Sequence, residues 1–318
     1  MGYDYQASHA APVWRFHFCN LTSDFCNLFP VPISATYLPA AFSLTAVGVW
    51  GTSDFLGGLG ARRANAFLFT SIVHASGMIL AGGLALSLGL SFPEGSGLRW
   101  ALAAGSIGGI ALALFYRALA SGQMGLVAPL AAVLGAGIPT IVSAFSEGFP
   151  GTRHIFGFVL AGIGVWLISR NESLPPGTAG GDARPRGLGW AILAGCGFAG
   201  FYLCIHHAGN ASALWIAVCS RFASLLVTLA FVVFGRQLSS VSRPVLAIAI
   251  TAGILDITGS VVFVRASQLG RLDTPVVLSS LYPAVTVILA RVFLHEHFSR
   301  TRTIGMLAAL AAVPMIAV

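Results

Sequence analysis

Long apolar stretches and short polar segments alternate along this chain from about residue 38 to its end. No charged residue lies between Arg63 and Glu94 or between Arg117 and Glu147. Each of these gaps exceeds the roughly 20 residues with which a helix crosses a hydrocarbon core. The pattern therefore predicts an all-α integral membrane protein with ten transmembrane helices. Their expected positions are 38–60, 65–91, 98–120, 123–146, 154–170, 188–208, 211–235, 244–268, 273–294 and 301–318.

One helical pattern occurs twice along the chain. The segment that begins at Phe115 aligns without a gap on the segment that begins at Phe263, so that Arg117 falls on Arg265. Because an odd number of crossings reverses the direction of the chain, two copies of a five-helix unit enter the membrane in opposite orientations. The sequence therefore predicts two inverted five-helix repeats. We expect the first at 38–170, a Pro/Gly-rich linker at 171–187, the second at 188–318, and an N-terminal tail at 1–37 outside the repeat.

The N-terminal tail lacks the uninterrupted apolar core of a signal peptide. We expect a disordered or interfacial segment, and a start codon assigned too far upstream is the alternative.

Composition narrows the partners of the chain. Hydrophobic residues make up 56% of it and charged residues only 8%, which favours lipid as its solvent. The formal charge of +7 comes from arginines between the apolar runs, where they meet lipid headgroups, and no basic cluster indicates nucleic acid. The sequence has no phosphate-binding P-loop, and the motif His295-Glu296-His297 lacks the i, i+4 spacing of a helical metal site. We expect neither a cofactor nor a metal.

Several motifs resemble the drug/metabolite transporter superfamily, in particular transporters built from two EamA domains. They are WGTSDFLGG (50–58), FYRALASGQMGLVAPLAAV (115–133), GFVLAGIGV (157–165) and LSSLYPAVTVILARVFLHEHFS (278–299). The resemblance implies export or exchange of a small metabolite, amino acid or drug-like solute across a bacterial inner membrane. Family members usually carry a Gly-Glu-Arg-like turn after the fourth and ninth helices. Here Glu147 and Glu296 stand in those turns without the adjoining basic residue.

Charged residues inside apolar helices are the first candidates for a solute or ion pathway, because a charge at mid-bilayer costs roughly 2.5–3.5 kcal/mol on insertion scales. Asp54, with Trp50 and Ser53, is either a cavity-lining carboxylate that binds a cation or a proton, or an anchor near a helix end. Asp256, near Ser260, is either a coupling site or the structural partner of Arg221. Arg221 in turn is a counter-ion or a clamp for a substrate carboxylate.

Other candidates rest on polarity within apolar helices. His74 is a possible proton sensor or a locally bonded side chain. Ser279, Tyr282 and Pro283 fall on one face of the ninth helix, where the proline leaves a carbonyl without its helical donor. Tyr116 is a weaker cavity candidate. A small-molecule substrate and a coupling proton are the expected partners besides the bilayer, and the chain is expected to be a monomer or homodimer.

The orientation in the membrane is open, because two arguments disagree. The positive-inside rule places the termini outside, whereas the resemblance implies termini in the cytoplasm. The alternatives to transport are an intramembrane enzyme, for which Ser279 within hydrogen-bonding reach of His74 would be the sign, and a non-transporting sensor or assembly subunit with a side-chain-filled centre. The positive-inside argument rests on the arginines outside the apolar helices. Those on the side of the N-terminus are Arg15, Arg99, Arg153 and Arg271, and those on the opposite side are Arg62, Arg63, Arg170, Arg184, Arg186, Arg236, Arg243, Arg300 and Arg302.

Overall fold

The structure, a computed structural model, describes residues 37–120, 124–169, 188–294 and 300–316. These residues form helices and their connections, with no β-strand among them. The predictions for the N-terminal tail, the linker and the motif at 295–297 lie outside the described residues. The helices are α1 (Leu38–Ala61), α2 (Ala66–Ser87), α3 (Gly95–Ala120), α4 (Met124–Ser146), α5 (Thr152–Ser169), α6 (Leu188–His207), α7 (Ala213–Phe234), α8 (Arg243–Gln268), α9 (Asp273–Ser279), α10 (Tyr282–Leu294) and α11 (Arg300–Ile316).

Side-chain caps fix the start of two helices. The Asn65 carboxamide oxygen accepts hydrogen bonds from the backbone amides of Phe67 and Leu68 at the start of α2. The Ser212 hydroxyl accepts from the amide of Trp215 at the start of α7. These side chains pair backbone donors that have no partner within the helix, so each cap sets where its apolar run becomes helical.

The predicted helix at 273–294 is instead two helices, α9 and α10, separated by a turn at Ser280 and Leu281. Pro283 has no amide hydrogen and cannot continue the helical ladder to the carbonyl of Ser279. The chain tightens here, with the Leu281 amide donating to the Leu278 carbonyl at 3.2 Å and the Ala284 amide to the Leu281 carbonyl at 3.0 Å. The expectation of one continuous ninth helix was therefore wrong.

Five of the described helices are long and apolar enough to cross a membrane, namely α2, α3, α6 from Gly189, α7 and α8. Large apolar side chains outside the core, among them Phe145, Phe149 and Phe234, are at least 80% exposed within the isolated chain. Such apolar surface is suited to lipid. The described chain is thus all-helical with several membrane-crossing helices, while ten crossings in two repeats stay a prediction.

The helices pack in a reciprocal pattern. Helix α1 contacts α8 and α3 contacts α6; α2 contacts α8 and α3 contacts α7; α1 contacts α9 and α10, and α4 contacts α6. The two remaining large contacts are α2 with α7 and α5 with α11. Helices α1, α2, α3, α4 and α5 can be matched, in that order, with α6, α7, α8, the α9–α10 pair and α11. When every helix is exchanged for its match, the first six contacts become one another, and the last two become themselves.

Glycines allow the closest helix crossings. A Cβ at Gly105 of α3 would overlap the backbone of Ser220 in α7, and a Cβ at Gly253 of α8 would overlap the Val73 carbonyl in α2. At the first crossing the Ser224 hydroxyl also donates to the Gly105 carbonyl at 2.7 Å. Small residues let helix backbones approach closely in lipid. These two crossings hold α2, α3, α7 and α8 against one another around the centre of the bundle.

Candidate functional site

A cavity lies at the centre of the bundle, between α1, α3, α6, α7, α8 and α10. About 50 Å³ of it is open to the centres of water molecules. One water requires roughly 10–15 Å³ by this measure, so the cavity has room for several waters. The lining residues are Trp50, Asp54, Gly108, Leu112, Phe198, Phe201, Tyr202, Arg221, Asp256, Ser260 and Tyr282.

An ion pair joins α7 and α8 at the cavity wall. Arg221 Nη2 lies 2.9 Å from Asp256 Oδ2, and both side chains are less than 10% exposed. The same guanidinium group donates a hydrogen bond to the Ser260 hydroxyl, which donates to the Asp256 carbonyl at 2.9 Å. The predicted pairing of Asp256 with Arg221 is confirmed. This geometry favours the structural interpretation of the pair, although all three residues also line the cavity.

The carboxyl group of Asp54 differs from that of Asp256 in having no partner. Asp54 lines the cavity from α1 and is only 9% exposed. Among the described residues, no hydrogen bond or ion pair joins its carboxyl group to another side chain or backbone group. A buried carboxyl group without a partner is ionised at low cost only if something in the cavity compensates its charge, and otherwise it holds a proton. Asp54 is therefore the polar group of this cavity that most requires a ligand.

Two hydrogen bonds fix α1 against α8 beside Asp54. The Trp50 indole Nε1 donates to the Asp256 carbonyl at 3.2 Å, and the Ser53 hydroxyl donates to the Ala252 carbonyl at 2.9 Å. Gly259 of α8 makes this possible, because a Cβ there would lie 2.5 Å from the Trp50 ring. The two helices thus hold their carboxyl-bearing residues on one side of the cavity.

Helices α3 and α6 supply the opposite, apolar side. Gly108 and Leu112 come from α3, while Phe198, Phe201 and Tyr202 come from α6. The Tyr202 ring reaches across to the Trp50 ring at a centroid distance of 6.2 Å. A Cβ at Gly108 would lie 2.9 Å from the Phe201 ring, so the glycine makes room for that aromatic side chain.

None of these five α3 and α6 residues was among the candidates predicted from the sequence. The segment GFAGFY, from Gly197 to Tyr202, falls about as far into the second predicted repeat as GTSDFL, from Gly51 to Leu56, falls into the first. That faint correspondence was the only available sign, because aromatic residues in an apolar helix are equally suited to lipid and to a cavity.

The structure places six of the eleven predicted site residues on the cavity wall: Trp50, Asp54, Arg221, Asp256, Ser260 and Tyr282. Ser53, His74, Tyr116, Ser279 and Pro283 are buried but do not line it. The two ring nitrogens of His74 have no hydrogen-bond partner among the described residues. The same holds for the hydroxyl groups of Tyr116, Ser279 and Tyr282. His74 and Ser279 consequently form no hydrogen bond with each other, so the sign set for an intramembrane enzyme does not appear.

A second polar cluster joins the α4–α5 connection to the start of α9. Arg271 Nη1 donates to the Glu147 carbonyl at 2.9 Å, and its Nη2 donates to the Gly148 carbonyl at 2.7 Å. Arg271 also pairs with the buried carboxylate of Asp273 at 3.0 Å. The Glu147 carboxylate lies 3.4 Å from His206 Nε2, at the end of α6. We call Glu147, His206, Arg271 and Asp273 the end cluster.

Comparison with known proteins links this geometry to a family. Residues 185–318 match the EamA-like transporter family, which confirms for this part of the chain the resemblance to the drug/metabolite transporter superfamily. A search of curated proteins finds no match. Among solved structures, 27 chains match. One of them, described only as a crystal structure of a protein, has a TM-score of 0.66 and 17% sequence identity, and the likeness covers 87% of this chain and 95% of that one. At this identity the likeness shows the fold alone.

Proposed function

We propose that this chain, EamA-like over residues 185–318, is a secondary active transporter that moves a small solute across a membrane by alternating access. The observation that carries the proposal is the central cavity, which holds a buried carboxyl group without a partner, that of Asp54. Such a group within a membrane bundle is typical of a solute or ion pathway. In this proposal the membrane is a bacterial inner membrane, and the solute is exported or exchanged across it.

The reciprocal helix contacts support an inverted-repeat mechanism. Helices α1 and α8 form one side of the cavity, and their counterparts under the exchange, α6 and α3, form the other. A scaffold of this kind has two near-equivalent packings, each open to one side of the membrane. In this proposal, residues 38–170 and 188–318 are the two repeats, and rocking between the packings exposes the cavity alternately.

The end cluster supplies a gate for this movement. Its bonds connect the end of α4 in the first proposed repeat to the start of α9 in the second. Opening the bundle at this end requires Arg271 to release the two carbonyls of Glu147 and Gly148. The described packing is therefore the one closed at the end cluster, and loss of Arg271 favours the packing open there.

The other two function classes fit the geometry less well. A sensor or assembly subunit predicts a centre filled with side chains, whereas the cavity has room for several waters. The enzyme alternative lacks the contact between Ser279 and His74. Because these arguments concern the shape of the centre, the decisive test measures access to it.

Cysteine accessibility tests the proposal without knowledge of the solute. Leu112→Cys, in a background without the native cysteines, places one thiol in the cavity. A membrane-impermeant maleimide is then applied to right-side-out and inside-out vesicles. We expect labelling from both sides, with Arg271→Gln raising the rate from the side of the end cluster at least threefold. Leu119→Cys is the matched control, because Leu119 lies on the same helix, is 1% exposed and lies outside the cavity. Labelling of Leu112→Cys from one side only, with or without Arg271→Gln, would refute alternating access.

A further inference from the structure

The charges of the cavity wall, taken together with the proposed transport function, allow an inference about the class of solute. Three lining residues have side chains that can carry a full charge: Asp54, Arg221 and Asp256. The Arg221 guanidinium group is already paired with the Asp256 carboxylate. With this pair neutral as a unit, ionisation of Asp54 adds one negative charge to the cavity, and a bound monovalent cation would compensate that charge. The geometry points to a monovalent organic cation with apolar substituents as the transported solute.

An anionic solute is disfavoured by the same residues. Arg221 Nε has no hydrogen-bond partner among the described residues, but an anion bound there would lie beside the Asp256 carboxylate, which already balances the charge of the guanidinium group. An anion that drew Arg221 away from Asp256 would leave that carboxylate buried without its counter-ion, at a cost of about 3–5 kcal/mol. The anion would also be repelled by Asp54 whenever that residue is ionised. Arg221 is therefore assigned as the counter-ion of Asp256.

The aromatic side chains distinguish an organic cation from an inorganic one. Trp50, Phe198, Phe201, Tyr202 and Tyr282 line the same cavity as Asp54. A cation over an aromatic face gains about 0.5–2 kcal/mol, and more as it loses water. Small hydrated metal ions instead require several oxygen ligands, which this aromatic wall does not supply. An alkylated ammonium group, weakly hydrated and apolar on its surface, suits both the carboxylate and the aromatic rings.

The Tyr282 hydroxyl group adds a polar contact for such a solute. It belongs to a lining residue that is 5% exposed, and it has no hydrogen-bond partner among the described residues. A buried hydroxyl group without a partner is unfavourable, so a ligand that bonds to it gains free energy. The solute class that uses both the Asp54 carboxyl group and the Tyr282 hydroxyl group is an alkylammonium ion with a hydroxyl or carbonyl oxygen.

Binding of three isosteric probes to the purified full chain in detergent tests this assignment. The probes are choline, its neutral carbon isostere 3,3-dimethyl-1-butanol, and the anion 3,3-dimethylbutyrate, each measured by isothermal titration calorimetry up to millimolar concentration. We expect choline to bind at least tenfold more tightly than the neutral isostere, and the anion not to bind. Asp54→Asn should weaken choline binding at least tenfold and leave the isostere unchanged. Glu94→Gln is the matched control, because it removes an exposed carboxylate outside the cavity and should leave choline binding intact.

Three results would overturn the cation assignment: equal binding of choline and its neutral isostere, choline binding that Asp54→Asn does not weaken, or no choline binding at millimolar concentration. The last result together with a pH-dependent thermal stability that Asp54→Asn removes would assign Asp54 to a proton instead. The accessibility of Leu112→Cys is independent of any solute. Labelling from both sides without choline binding would therefore refute the solute class and leave the transport proposal standing. Labelling from one side only, together with choline binding, would refute alternating access and leave the binding of an organic cation standing.

Discussion

The ion pair between Arg221 and Asp256 can be tested by a double-mutant cycle. Replacement of one partner, in Arg221→Met or Asp256→Leu, leaves the other charge buried without its counter-ion, since both side chains are less than 10% exposed. The expected loss is about 3–5 kcal/mol in the free energy of unfolding for either variant. The double variant removes both charges and keeps the volume apolar, so it is expected to lie within about 1 kcal/mol of the wild-type protein, or above it.

The hydrogen bonds around the pair make this cycle interpretable. Trp50 and Ser260 donate to the backbone carbonyl of Asp256, which the substitutions retain. The coupling energy therefore reports the two charges and not a lost helix contact. Unfolding is followed by circular dichroism in a titration with sodium dodecyl sulfate, with Arg243→Met as the exposed control, expected to change stability by less than about 0.5 kcal/mol.

Two outcomes would refute the argument: single variants within about 1 kcal/mol of the wild type, or a double variant as unstable as the sum of the two. The cycle also decides between the two roles left open for the pair. If the double variant is stable and transports, the pair is structural; if it is stable and inactive, one of its charges takes part in transport.

Three further predictions concern packing, the helix break and coupling. Gly253→Ala should lower the free energy of unfolding by about 1–3 kcal/mol, because the new methyl group meets the backbone of α2, whereas Gly83→Ala, with open space around it, should not destabilise the protein in the same titration. Pro283→Ala restores an amide donor for the carbonyl of residue 279, so we expect slower amide hydrogen exchange across 279–284, and unchanged exchange would show that another cause breaks the helix. Asp54→Asn should abolish gradient-driven flux in proteoliposomes while the protein stays folded, and unchanged flux would remove Asp54 from the coupling site.

The helix positions were predictable because the apolar runs are long and the segments between them are polar or contain proline and glycine. The predicted segment 65–91 became Ala66–Ser87, and 244–268 became Arg243–Gln268. The break between α9 and α10 was not predicted, although Pro283 was identified as a flexible point. One missing donor does not show whether a helix bends or stops, because that depends on whether the neighbouring packing holds the chain straight.

Within the site, charge was predictable and apolar shape was not. The pairing of Arg221 with Asp256 followed from the cost of isolated charges in adjacent apolar helices. His74 and Ser279 are polar but do not line the cavity. The sequence could not show this, because helices that are apolar on all sides give little sign of which side faces inward. Phe198 lines the cavity and Phe145 is 82% exposed, yet both lie in similarly apolar sequence. Only the three-dimensional packing separates such residues.

The two helix crossings that enclose the cavity are counterparts in position but not in chemistry. The α1–α8 crossing carries Asp54 and Asp256, whereas the lining residues of the α3–α6 crossing are uncharged. Under the proposed repeat arrangement and transport function, one wall discriminates solutes by charge and the other by size. Exchange of Gly108 or Leu112 for larger residues can therefore retune which molecular dimensions are accepted without altering the preferred valence. The two selectivities are free to evolve, or to be engineered, separately.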